Sequence, residues 1–195
     1  LTTSTHAPLK KMKLRPTSTQ AQTSVNLAFD IETDGIDSTY IHCMVTQDID
    51  TGQVMEYNDQ ASKNYSVVNG VCDLETATNI ISHNGIMFDI PQIKKHFGFW
   101  EGKARHWDTL ILSRFFHPDL LEIDLRRKWP YMPARLYGSH SLEAYGYRLR
   151  CFKDGFGKTT DWKEWSPEMQ EYCKKDVVIL AKLWTHFQKS LKALS

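Results

Sequence analysis

The chain has 195 residues, enough for one domain with a sizeable core, and its 41% hydrophobic and 24% charged side chains are ordinary for a soluble globular protein. The net charge of +1 excludes a globally basic nucleic-acid binder, so any such site must come from local patches. Four scattered cysteines, Cys43, Cys72, Cys151 and Cys173, form no Cys-x-x-Cys pair, which excludes a zinc knuckle and points to reduced thiols in an intracellular protein; no apolar run approaches membrane-spanning length.

Residues 1–24 are rich in Ser and Thr, carry Lys10, Lys11, Lys13 and Arg15, and contain no acid. A poorly ordered tail, a basic and acid-poor transit peptide, and an expression remnant running into a native start near Met12 are the readings left open. A single domain is expected over 25–195.

In Val25–Glu32, the apolar Val25, Leu27, Phe29 and Ile31 alternate with Asn26, Ala28, Asp30 and Glu32. Period-two alternation predicts a β-strand with Asp30 and Glu32 on one face. Two carboxylates two residues apart repel each other unless a cation lies between them. Either they sit at a solvated strand end before the Thr33-Asp34-Gly35 turn, or they hold a divalent metal, since hard cations take carboxylate oxygens.

Tyr40–Thr46 and Gln53–Tyr57 read as strands of a hairpin around an Asp50-Thr51-Gly52 turn. Asn79–Ser82 reads as a short buried strand running into His83-Asn84-Gly85. Pro91 suits the first position of a helix through His96, which places Asp89 at that helix's start, on a loop after a strand. Taken alone, Asp89 is an N-terminal acid favoured by the helix dipole. His106-Trp107-Asp108 and Thr109–Phe116 read as a short strand feeding a helix ended by His117-Pro118.

Residues 126–163 hold nine Lys or Arg against three acids, with eight aromatics interleaved. Such a stretch suits a single strand of nucleic acid, or else a solvated surface with its rings half in the core. Ser139–Leu149 reads as a Ser-capped helix. Ser166-Pro167-Glu168 is a strong helix start, and the helix is expected to run to about Leu191. Its apolar stripe is Met169, Tyr172, Cys173, Val177, Leu180, Trp184, Phe187 and Leu191. Asp176 falls on that stripe, one turn after Tyr172. A buried carboxylate costs several kcal/mol unless paired or metal-bound, so Asp176 calls for an Arg partner or a metal.

Four acids from separate segments thus want a common explanation. Phe29-Asp30-Ile31-Glu32-Thr33, Asn84-x-x-x-Phe88-Asp89 and Tyr172-x-x-x-Asp176 resemble, in order, the three motifs of the DEDD 3′–5′ exonucleases in their tyrosine (DEDDy) form. The blocks His83–Ile86, Asp108–Leu110, Gly138–Leu149 and Asp176–Val178 make the resemblance closest to the proofreading domain of podophage-type family A DNA polymerases. It covers roughly residues 25 to 190.

The resemblance implies an α/β, ribonuclease H-like fold, a five-stranded mixed sheet with an antiparallel second strand and helices on both sides. It also implies two-metal hydrolysis of phosphodiesters with Mg²⁺ or Mn²⁺. Asp30 would bridge both ions, Glu32 and Asp176 would hold the one that binds the attacking water, and Asp89 the other. Tyr172 would orient that water, because a phenol with a pKa of about 10 is a poor base at neutral pH. Asn84 and Phe88 would hold the terminal nucleotide, with the Thr33 backbone near its sugar.

The expected substrate is the 3′ end of single-stranded DNA. The expected partner is a polymerase domain or subunit, with no membrane. The expected location is a bacterial or phage-infected cytoplasm, or an organelle if residues 1–24 are a transit peptide. An exoribonuclease on the same fold and a non-catalytic nucleic-acid-binding or polymerase-docking module are the alternatives.

Overall fold

A computed structural model describes residues 24–60, 65–151 and 162–194. Residues 1–23, where the tail was expected, lie outside the described residues, as do Lys153 and Lys158 of the basic stretch.

The alternating segment forms β1 (Asn26–Thr33), the middle of a five-stranded sheet of order β3-β2-β1-β4-β5. β2 (Ile41–Asp48) runs antiparallel to both its neighbours, β1 and β3 (Val54–Asn58). β4 (Asn79–Ser82) and β5 (Arg105–Asp108) continue parallel to β1. This is the mixed sheet the resemblance implies.

Both faces of β1 are covered. Leu27, Phe29 and Ile31 pack with Val67, Val71 and Leu74 of α1 (Val67–Thr76) and Ile93 of α2 (Asp89–His96). Ala28 packs on the other face against Met169, Cys173, Val177 and Leu180 of α6 (Pro167–Lys192). Each fully enclosed Phe, Leu or Ile contributes about 1.5–3 kcal/mol. Asp30 and Glu32, half-buried, therefore lie on the sheet face that carries α6.

Three helices differ from expectation. The sequence reading has no helix between β3 and β4, yet α1 forms there. Gly70 lies inside it, where a Cβ would meet the Met44 sulfur at 2.7 Å. α2 begins at Asp89, so Pro91 is its third residue, where the missing N–H is still among the unpaired first four. α4 (Leu120–Arg127) occupies the start of the stretch read as basic surface.

α3 (Thr109–Phe116), α5 (Leu142–Arg148) and α6 form where the pattern places them. Ser141 caps α5 by accepting from the Ala144 N–H, and Ser166 caps α6 by accepting from the Met169 N–H. Among the described residues no helix is long and apolar enough to cross a membrane.

Candidate active site

The C-terminal end of β1, the loop after β4, the start of α2 and the first half of α6 meet at one cleft of about 250 Å³. It is lined by Asp30, Ile31, Glu32, His83, Asn84, Phe88, Asp89, Trp162, Tyr172 and Asp176. All four acids and the tyrosine singled out from the sequence are in it, together with Asn84 and Phe88. Thr33 is not. It is buried at the end of β1, with its hydroxyl donating to the Gly35 carbonyl at 2.8 Å.

Each acid is delivered by a different local rule. Strand pleating puts Asp30 and Glu32 on one face, two residues apart. Helical spacing puts Tyr172 and Asp176 on one face of α6, four apart. Asp176 is 8% exposed. Asp89 heads α2 and is 3% exposed, and its Oδ1 accepts from the Ile31 N–H at 3.3 Å, stitching the helix start to β1. Burial pushes its carboxyl up to about 7, against the pull of the Asp89 and Ile31 N–H groups; the charge of Asp108 adds to the rise.

The loop from Ser82 to Phe88 has its own support. Asn84 sits at φ 67°, a region Asn tolerates better than most residues. A Cβ on Gly85 would come within 2.0 Å of the Ser82 hydroxyl and 3.3 Å of Asp89 Oδ2, so only glycine lets the loop press against the site. Asp108, buried at the head of α3, accepts from the Asn84 N–H (3.0 Å), the Ile86 N–H (3.2 Å) and the Leu110 N–H (2.9 Å). One carboxylate thus caps a helix and ties down the loop that carries Asn84 and Phe88. Its signal in the sequence is an Asp directly before a helical run.

Sequence reasoning also left His83 and Trp162 out of the site. The Thr109 hydroxyl donates to the Ser82 carbonyl at 3.0 Å and lies 2.9 Å from His83 Nδ1, which fixes the imidazole on the cleft wall. The Trp162 ring stands edge-on to Tyr172 at 5.8 Å, and its carbonyl accepts from His42 Nε2 at 3.0 Å. His42 is the bulged residue of β2, left without a partner where Glu32 pairs Cys43 and Thr33 pairs Ile41. Bulges beside active sites re-aim side chains in this way. A lone Trp in a basic stretch carries no signal that would assign it to the cleft.

The donor set fits hard divalent cations. Carboxylate oxygens of Asp30 and Glu32 and the Cys173 sulfur lie within 4.8 Å of one another. Cys173 is fully enclosed, its thiol raised well above the ordinary range by burial, and it donates to the Asp30 carbonyl at 3.4 Å. It therefore behaves as a packed core thiol. The remaining donors are oxygens, which suit Mg²⁺ or Mn²⁺ rather than a thiolate-seeking metal.

Residues 27–188 match the model of the RNase_H superfamily. The chain is 28% identical over 165 residues to a DNA-directed DNA polymerase of Escherichia phage T7, covering 72% of this chain and 23% of that protein. Against the DNA-directed DNA polymerase of Enterobacteria phage T3 it is 28% identical over 179 residues, covering 78% and 25%. The chain thus spans about a quarter of the length of these relatives. Among solved structures, one described as the apo form of the nuclease aligns with a TM-score of 0.56 at 23% identity, over 82% of this chain and 70% of that one. The family B DNA polymerase of the archaeon Pyrobaculum calidifontis aligns at 0.50 and 15%, over 85% and 24%. Both share the fold.

Proposed function

Since this chain belongs to the RNase_H superfamily and is of the nuclease kind, we propose that it is a metal-dependent 3′–5′ exonuclease that removes mononucleotides from single-stranded DNA. The observation that carries this reading is the convergence of Asp30, Glu32, Asp89 and Asp176, from three separate stretches of chain, on one cleft that Tyr172 also lines.

Asp30, Glu32, Asp89 and Asp176 would hold two divalent ions. When bound, such ions stabilise the charge that develops on a phosphodiester under attack and acidify water. The chain's own groups do the rest. Tyr172 presents its hydroxyl one turn before Asp176, where it orients a water by hydrogen bonding. Asn84 and Phe88 take the terminal nucleotide by hydrogen bond and stacking, on a loop that Asp108 keeps in place. Trp162 walls the cleft beside Tyr172.

Two relatives that are DNA polymerases of roughly four times this span suggest that the chain acts beside a polymerase, as a domain or as a separate subunit.

A 5′-labelled single-stranded DNA incubated with Mg²⁺ or Mn²⁺ is expected to give a ladder shortened from its 3′ end, faster than duplex. An RNA strand of the same sequence, run in parallel, reads the preference for sugar, since the 2′-hydroxyl distinguishes the two. Exclusively internal cuts, or full activity in excess EDTA, would overturn the reading.

A further inference from the structure

Of the basic and aromatic stretch 126–163, the structure withdraws a large part from any ligand. Arg148 is enclosed in an ion pair with Asp124, Arg135 pairs with Glu143 at 2.6 Å, and Tyr145 is buried against Leu183 and Phe187. Tyr137 and Tyr147 pack on the small core of Met132, Leu136 and Ala144.

Besides the separate exposed cations Arg150 and Lys163, the described residues of the stretch keep one exposed element with several cations together, the turn from Arg126 to Tyr131 that leaves α4. Arg126, Arg127 and Lys128 are three consecutive exposed cations, and among the described residues no carboxylate pairs with any of them. The Arg127 guanidinium lies over the Trp129 ring at 5.5 Å. Tyr131, two residues on, is 88% exposed, with Ile36 the most exposed of the large hydrophobic side chains among the described residues.

This turn is held from beneath. Asp124 is fully enclosed and accepts from the Trp129 indole N–H (2.7 Å), the Gly138 N–H (2.8 Å), and Arg148 Nε and Nη2 (3.0 and 2.6 Å). Arg148 also donates to the Ser139 carbonyl at 2.8 Å. Lys128 and Tyr131 both take positive φ, 49° and 64°, a strain that persists only where the surroundings over-determine it. A satisfied buried ion pair thus holds in place a turn that carries three exposed cations and the largely exposed Tyr131.

We infer that the Arg126–Tyr131 turn is a second point of attachment for a single strand of nucleic acid, outside the cleft, in which Arg126, Arg127 and Lys128 take backbone phosphates and Tyr131 stacks on an unpaired base. A base offers its face for stacking only when it is unpaired, so a single strand fits this element better than a duplex, while the cations supply the sequence-independent attraction. The inference rests on the nucleic-acid substrate proposed above, and it names where the strand is gripped away from the reacting end. The link to the cleft runs along α3. Its head, Asp108, ties the Asn84 loop, and Ser113 in its last turn bonds His140 and Tyr145, both at 2.6 Å, in the block that carries the turn.

The test reads binding in EDTA, where no hydrolysis occurs, using fluorescein-labelled oligothymidylate titrated at several salt concentrations. The triple variant Arg126→Ala, Arg127→Ala, Lys128→Ala is expected to weaken binding and to lower the slope of log K against log salt by about 2, at roughly 0.7 for each phosphate no longer neutralised. Tyr131→Asn, a residue that tolerates positive φ, should weaken binding by about 5- to 150-fold with the slope unchanged, as one stacked base is released. Tyr131→Phe, which keeps the ring and the fold, should bind like the wild type. Unchanged affinity in the triple variant and in Tyr131→Asn, at wild-type melting temperature, overturns the inference, as does equally tight binding of a blunt duplex. Because this readout needs no chemistry, a protein that binds through the turn but never cleaves would sink the exonuclease reading alone. One that cleaves with binding indifferent to the turn would sink this inference alone.

Discussion

Asp124 and Asp89 are both almost fully enclosed, and the protein meets their charges in opposite ways. Around Asp124 burial drives the carboxyl up, but the hydrogen bonds from Arg148, Gly138 and Trp129 together outweigh it and hold the group below its ordinary value. Around Asp89 two backbone N–H groups oppose burial and lose, and the neighbouring Asp108 adds a second negative charge. The first aspartate brings its cation with it in the fold. The second sits in a cleft with three further acids, where the proposed function supplies the cation from outside. Burial alone therefore does not separate a structural acid from a functional one. What separates them is whether the counter-charge belongs to the chain.

Removing a charge should then have opposite consequences in the two regions. The largest effect is expected at the cleft. Asp176→Asn should lower hydrolysis at least about a thousand-fold, since a metal ion supplies several kcal/mol of transition-state stabilisation. In EDTA the same variant should melt at or above the wild-type temperature, because one of several crowded negative charges is gone. Mg²⁺ at a hundred times its dissociation constant should stabilise the wild type by about 2.7 kcal/mol and the variant by much less. A markedly lower melting temperature for metal-free Asp176→Asn would place Asp176 in the same class as Asp124 and dissolve the contrast.

Asp124→Asn should do the reverse. It strands the enclosed Arg148 guanidinium and should cost roughly 3–5 kcal/mol of stability, equally with and without Mg²⁺. Thermal melts of this variant in both conditions check it, and a Mg²⁺-dependent loss would mean that the two regions are coupled.

A smaller effect is expected at Tyr172. Tyr172→Phe keeps the ring against Trp162 and removes only the hydroxyl, so hydrolysis should fall about a hundred-fold while Mg²⁺ still raises the melting temperature. A wild-type rate would reduce Tyr172 to a packing residue of α6.

The cleft was largely legible in the sequence, and the Asp124 region was not. Strand alternation placed Asp30 with Glu32, helical spacing placed Tyr172 with Asp176, and Ser166-Pro167 marked where α6 begins; each is a rule over four or five residues. Which acids would meet came from the resemblance, because sequence spacing says nothing about how separate elements come together. Asp124 finds Arg148 across 24 residues, and nothing near Arg148 announces that it is not a surface cation. Counting it with the other cations of 126–163 made a uniform basic surface out of one buried ion pair, one exposed ion pair, the three exposed cations of the turn, the exposed Arg150 and Lys163, and two lysines outside the described residues. α1 was missed for a similar reason, since its Gly70 answers to Met44 and Tyr57, packed against it from distant parts of the chain.

The most delicate consequence of the comparison is a difference in slope against pH. An unfolded aspartate titrates near 4. Asp89, raised to about 7 in the fold, binds its proton more tightly folded than unfolded. Between about pH 4 and 7 the folded chain holds more protons there, so stability falls as pH rises, by up to about 1.4 kcal/mol per unit. Below pH 4 this contribution is fully present, and above 7 it is gone. Asp124 is lowered, so its contribution has the opposite sign: it is present above about pH 4 and is lost as the solution becomes more acid than that. Metal-free Asp89→Asn carries no titrating group at that position, so the stability of the wild type in EDTA, taken relative to this variant, should fall between pH 5 and 7. His106, His117, His140 and His186, held below the ordinary imidazole range by burial, act in the opposite direction in both proteins and cancel in the difference. Saturating Mg²⁺ should flatten the wild-type profile toward that of the variant, because the ion favours the ionised carboxylate that burial disfavours. Melting temperatures across pH 5 to 8, for both proteins with EDTA and with Mg²⁺, measure this directly. A wild-type stability that, relative to Asp89→Asn, stays level or rises over that window would show that the charge of Asp89 is met from within the chain, as that of Asp124 is.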